Sequence, residues 1–169
     1  MRRSLMVAAL GLLPCWTAAG AAQQLTPPGA SLSAAHVVIT GTVGKKKLQA
    51  SGPGTCRHAP EASLRGASAS MWMVEFQGSP DAGVGSLNLT LWRFKDGSPD
   101  QLSLALETGS GSHRIDTSKP DEKKGEAAVT ILPSGPGGRL ELTGKTSNGK
   151  AVQLTIDCPA FSGLEAEGG

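Results

Sequence analysis

The closing stretch of the chain, Gly138 to Cys158 (GRLELTGKTSNGKAVQLTIDC), restricts the fold more than any other. Leu140 and Leu142 alternate with Glu141 and Thr143, and beyond Asn148-Gly149, Val152, Leu154 and Ile156 alternate with Gln153, Thr155 and Asp157. A period of two sends successive side chains to opposite faces of a strand. Asn-Gly between two such runs predicts a hairpin, because both residues tolerate the positive φ of a tight turn. The parity continues to Cys158, which therefore falls on the apolar face. A lone hairpin is marginal in water, so these strands demand a larger sheet to pack in.

The same period recurs upstream. His36 to Val43 predicts a first strand, and Leu48-Gln49-Ala50 starts a second that Ser51-Gly52-Pro53-Gly54 ends. Glu61 to Ala69 is irregular. Ser70 to Phe76 is a strand with Trp72, Val74 and Phe76 on one face, and Gly78 to Gly85 is a loop. Ser86 to Phe94 shows the clearest alternation, Leu87, Leu89 and Leu91 against Asn88, Thr90 and Trp92. Ser98-Pro99-Asp100-Gln101 resembles a helix start. Leu102, Leu104 and Leu106 nevertheless recur every second residue, which predicts a strand. Ser112 to Asp116 and Ala127 to Leu132 are strands around a mixed-charge loop, Thr117 to Lys124. The turn-rich run Pro133 to Gly138 stops the latter strand. About eight short strands with little helical pattern predict an all-β fold, a single antiparallel β-sandwich or partly open barrel.

The first residues belong elsewhere. Arg2-Arg3, the apolar run Leu5 to Leu13 and the small residues Thr17 to Ala22 form a signal-peptide pattern, with Ala19-Gly20-Ala21 meeting the A-x-A rule. The run falls short of the roughly 20 apolar residues that span a bilayer, so no transmembrane span is expected. Cys15 has two readings: a lipid attachment site, or a residue removed with the signal. The expected organisation is a cleaved signal over 1–21, a flexible leader over 22–35, a β domain over 36–159 and a polar tail over 160–169. The full chain has a formal net charge of +2. Removing Met1 to Ala21 takes away Arg2 and Arg3 and no acid, which leaves basic and acidic residues equal in number. Nucleic-acid binding, which needs a basic surface, is not expected. Lys45-Lys46-Lys47 is the one basic run, either a solvated tip or a contact for a phosphate or an anionic surface. Export leaves Cys56 and Cys158 as the two thiols of an oxidising compartment, which predicts one disulfide.

Motifs for chemistry are sparse. Gly144-Lys145-Thr146 resembles the end of a phosphate loop, but position 139 is arginine where glycine is required, and a hairpin follows where a helix is required. Ser110, Ser112, His113 and Asp116 sit close together in sequence, yet one short strand cannot by itself form a catalytic triad. His36, His58 and His113 are too dispersed to predict a metal site. No cofactor is implied. Trp92 and Phe94 fall on the face opposite Leu87, Leu89 and Leu91. They form either an outward platform for a small apolar or glycan ligand, or a second packed layer, or a face flipped by a bulge near Lys95.

The run KDGSPDQLSLALETGSG, then GEAAVTI, then GGRLELTGKTSNGKAVQLTIDC resembles the mycobacterial surface lipoprotein antigens. In that family a strand after a DG-x-P turn, a glycine-rich turn and a closing strand ending in a disulfide cysteine follow in the same order. The resemblance implies an exported, envelope-associated β domain with a structural disulfide and no known catalysis. The family carries its lipid-modified cysteine after a small residue, where this chain has Pro14 before Cys15. The resulting expectation is an exported, non-enzymatic binding module of the envelope or cell surface. Its alternative is a structural component that docks an envelope protein, and a small hydrolase is the third reading.

Overall fold

The computed structural model describes residues 35–79, 81, 83–118 and 124–164. The expected signal over 1–21, Cys15 within it and all of the leader but residue 35 lie outside the described residues. The strands are β1 (Ala35–Val43), β2 (Lys46–Leu64), β3 (Ala67–Gln77), β4 (Val84–Phe94) and β5 (Gln101–Thr108), followed by β6 (Gly111–Asp116), β7 (Glu126–Ser134), β8 (Gly137–Lys145), β9 (Ala151–Cys158) and β10 (Ser162–Gly163). Nine of them form one curled antiparallel sheet in the order β6-β5-β4-β3-β2-β1-β9-β8-β7. The two-residue β10 adds to β2 in parallel. The architecture is thus a half-barrel, the partly open form of the expected all-β fold, with no α-helix among the described residues.

The concave face holds the core. Val37, Ile39, Leu89, Leu104, Leu140 and Ile156 are all buried there, each on the parity read from the sequence. The closing hairpin pairs Leu140 with Ile156 and Leu142 with Leu154. Its turn is longer than expected: Thr146 to Lys150 separate the strands, and of Asn148 and Gly149 only Gly149 adopts positive φ. The buried Thr146 holds this loop, exchanging hydrogen bonds with Lys150 and donating to the Asn148 side chain.

The largest departure is β2. Ser51-Gly52-Pro53-Gly54 does not end it; the strand runs for 19 residues. The two-residue turn Gly44-Lys45 makes Val43↔Lys46 a hydrogen-bonded pair, so by antiparallel alternation His36↔Pro53 is a non-hydrogen-bonded one. The ring nitrogen of Pro53 then faces away from β1, on the side where pairing with β3 starts only at Gly54. No ladder bond is lost there. The glycines make room for a ring: a Cβ on Gly52 would sit 3.3 Å from the Phe76 ring, and one on Gly78 would sit 2.7 Å from it. Glu61 to Ala69, expected to be irregular, contains the end of β2 and a two-residue turn, Arg65-Gly66, both at positive φ. A bulge between Ala59 and Ala62 interrupts the β2–β3 ladder just before it.

The tail also departs from expectation. Phe161 packs against the core cluster, its N–H donates to Pro136 O at 2.8 Å, and Ser162–Gly163 pair with Arg57–His58. The β domain therefore extends to Gly163.

Candidate functional site

The disulfide joins Cys56 to Cys158 with the Cα atoms 6.0 Å apart. It ties β2 to β9, the two strands that flank β1, and both cysteines are buried. Its position just past the paired part of β1 fastens an early strand of the chain to a late one, in the middle of the sheet.

Trp92 and Phe94 keep the outward parity predicted for them. The β4 register with β3 is unbroken through Phe94, so no bulge flips the face near Lys95; the irregularity lies at the other end, between Val84 and Ser86. The two rings are half-buried and line separate clefts. Trp92 lies with Leu64, Arg65 and Gln101 around a small hollow of about 120 Å³. Phe94 lines a larger one, about 480 Å³, with Ala67, Pro99, Gln101, Glu126 and Ala127. Its apolar wall is the Phe94 ring with Ala67, Pro99 and Ala127. The Gln101 and Glu126 side chains, which make no hydrogen bond to other described residues, supply free polar groups at its edge.

One wall of this cleft is held by a residue whose position the parity rule indicates but whose role it does not. Arg93 falls on the inward parity, next after Leu91. Its guanidinium forks onto Asp100 at 3.1 and 2.8 Å and donates to Val129 O at 3.0 Å. It also lies 5.7 Å from the centre of the Trp72 ring. Trp72 in turn stacks on His58, centroids 4.5 Å apart and planes 11° from parallel, and Phe161 meets His58 edge-on. Desolvation holds the His58 pKa below its ordinary value, and its buried Nε2 finds no partner among the described residues.

Val129 O is accessible to Arg93 because β7 is an edge strand. The two-residue turn Gly135-Pro136 makes Ser134↔Gly137 a hydrogen-bonded pair, so Ala127, Val129 and Ile131 point their backbone groups away from β8. The opposite edge, β6, is pinned near this seam. Asp116 and Lys124 exchange backbone hydrogen bonds, and Ser147 N donates to Arg114 O. Arg93 thus closes by a side chain the part of the seam that no strand closes.

A second groove, about 550 Å³, runs over the outer side past His36, Val38, Leu132, Arg139 and Asp157. Its polar groups are already matched: Arg139 pairs with Asp157 at 2.7 Å and His36 with Ser51 at 2.6 Å.

His113 belongs to neither cleft. It faces the core opposite Leu106, 2% exposed, with Nε2 3.3 Å from Thr108 Oγ1 and Nδ1 without a partner among the described residues. Burial lowers its pKa, as do Lys150 and Lys46, while Glu107 opposes them. Its hydroxyl neighbour is Thr108 rather than Ser110 or Ser112, and Asp116 turns to Ser118. His36, His58 and His113 lie on three different strands, β1, β2 and β6. Among the described residues, no helix is long and apolar enough to cross a membrane. Comparison with protein-family models, with curated proteins and with solved structures finds no match to this chain.

Proposed function

We propose that the chain is an exported, non-enzymatic module of the envelope or cell surface that binds its ligand outside the curled sheet, in the cleft walled by Phe94. The observation that carries this reading is the combination in that cleft of an aromatic wall with the uncommitted side chains of Gln101 and Glu126. The concave face is filled with packed aliphatic side chains, so carriage inside the sheet is disfavoured. The outer groove is less suited, since its Arg139, Asp157 and His36 side chains already have partners. An apolar wall edged by an amide and a carboxylate suits a ligand with one apolar face and a rim of hydroxyls, as a sugar ring has. The disulfide and the resemblance to mycobacterial surface lipoprotein antigens support the envelope setting.

Saturation-transfer NMR with oligosaccharides released from the host envelope tests the reading. Transfer from the wild type is expected to vanish in Phe94→Ala and to persist in Trp92→Ala. Absence of transfer from every oligosaccharide, or transfer unchanged in Phe94→Ala, refutes it. A second reading, docking of an envelope protein by strand addition, is favoured by the edge of β7, where Ala127 to Leu132 carries no charge. Cross-linking in the native host, followed by mapping of linked peptides to β7, separates it from the first.

A further inference from the structure

Five exposed basic residues gather at one end of the fold. The β1–β2 turn carries Lys45 and Lys46, and its Gly44 N donates to Ala151 O at 2.7 Å, which sets this turn against the start of β9 beside Lys150. Arg114 joins them through its carbonyl, which accepts from Ser147 N in the β8–β9 loop at 3.0 Å. Lys145 ends β8 just before that loop. All five side chains are exposed, although they come from three distant parts of the sequence. Lys46 and Lys150 both act electrostatically on His113, buried beneath them. Acids at this end include Glu107, which acts on His113, Glu126, opposite Lys145 in the β7–β8 ladder, and Asp116, two residues beyond Arg114.

Away from this end, three cations are paired with acids, while Arg57 and Arg65 on the far part of β2 and its turn have no such partner among the described residues. The ion pairs among the described residues are Arg93–Asp100, Lys95–Glu61 and Arg139–Asp157, and none involves the five cations. Without its signal the chain has equal numbers of basic and acidic residues, so an excess of cations at one end is an asymmetry of placement and not of composition. The four lysines stand on turns and strand ends and Arg114 within β6, and the five line none of the clefts described above. A spread of solvated cations without a pocket fits an extended anionic surface better than one small anion.

We propose that this end, bearing Lys45, Lys46, Arg114, Lys145 and Lys150, seats the exported protein on a bilayer surface that carries anionic lipid headgroups. Each basic residue close to such a surface strengthens binding about fivefold, and the attraction decays within a Debye length. Five of them suffice for binding that is reversible and sensitive to salt. The aromatic stack and the ion pairs sit away from the lysine-bearing turns, and the Phe94 cleft meets this end at Glu126, opposite Lys145.

The test is co-sedimentation of the exported protein with vesicles of phosphatidylcholine alone and of phosphatidylcholine mixed with phosphatidylglycerol. Binding to the mixed vesicles at about 0.15 M salt is expected, with loss at about 1 M salt, where the Debye length falls to roughly 3 Å. Lys46→Glu with Lys150→Glu should weaken it more than tenfold, while Arg65→Glu on the β2–β3 turn should not change it. Lys46→Gln with Lys150→Gln gives the same readout if the reversed pair folds poorly, which circular dichroism would reveal. Equal binding to both vesicle types, no binding to either, or insensitivity to both double substitutions overturns the proposal. So does binding of soluble polyphosphate through these lysines with phosphatidylglycerol vesicles left bare, because the partner is then a phosphate polymer.

Discussion

Replacing Arg93 by alanine tests whether the seam is held by that side chain. The substitution removes the fork onto Asp100, the hydrogen bond to Val129 O and the contact with Trp72 together. The Arg93 and Asp100 side chains are 40% and 34% exposed, so solvent screens their attraction and the pair contributes about 0.5–1 kcal/mol. A charged donor on a backbone carbonyl contributes about 1.5–3 kcal/mol when buried, and roughly half of that applies at this exposure. The Trp72 contact adds about 0.5 kcal/mol. The sum is about 2 kcal/mol, a substantial part of a typical stability of about 5–15 kcal/mol. With a urea slope of about 2 kcal/mol per molar, the unfolding midpoint should fall by about 1 M. Arg93→Lys keeps the charge but not the planar fork, and should recover less than half of the loss. A second readout follows from the edge. Freed of Arg93, β7 presents the outward backbone groups of Ala127, Val129 and Ile131 over an uncharged stretch, so light scattering should detect self-association that the wild type lacks. A midpoint shift below about 0.3 M in a variant that stays monomeric refutes the clamp.

Other perturbations bear on other parts of the fold. The Cys56–Cys158 bridge spans a sequence separation of 102, and its removal in Cys56→Ala with Cys158→Ala should cost about 2–4 kcal/mol, read as the difference in urea midpoint from the oxidised wild type. His58 and His113 both have folded pKa values below the ordinary 6.5, so the unfolded chain takes up protons first. Stability should be level well above that pH and fall as pH drops through it, and His113→Gln should flatten the decline in a series of melts. Gly41 has a φ of 154° and pairs closely with β9; a Cβ there would lie 2.0 Å from Gln153 O. Gly41→Ala should therefore displace β1 from β9 and abolish soluble expression. Gly97→Ala meets open space and strains only the backbone at φ 81°, at about 1 kcal/mol by thermal melt.

Where a strand has one buried face and regular pairing, its alternation is written in the sequence. Leu87, Leu89 and Leu91 in β4, Leu102, Leu104 and Leu106 in β5, and both arms of the closing hairpin are of this kind. The helix-like start at Ser98 was outweighed by that period, and the structure places a strand from Gln101. Local signals fail in β2 because residues that usually turn a chain serve other ends there. Gly52 makes space for a ring on β3, and Pro53 sits where its missing N–H has no partner to lose. Phe161 follows a Pro-Ala step in a polar tail, and only its contacts with His58 and Pro136 show that it packs. The parity of Trp92 and Phe94 was legible, but not that a turn and an edge strand would divide them between two clefts. Arg93 carried a signal that parity alone can detect: an arginine at the position where the next core leucine is due.

The seam explains why that arginine is there. A sheet that curls without closing leaves two edges, and each edge is a row of unpaired backbone groups. Here β6 ends near where β7 begins, so strand pairing can join them only around Asp116 and Lys124. Beyond that point β7 faces the end of β4, where the gap is bridged by a side chain instead of a ladder. Leucine at position 93 would fill the core but leave Val129 O unsatisfied, and lysine would reach the carbonyl without forking onto Asp100. Arginine alone meets both a carboxylate and a carbonyl while lying near an indole face. The same geometry sets Asp100 and Ala127 on facing sides of the Phe94 cleft. The residue that closes the fold therefore also fixes the width of the site proposed to bind.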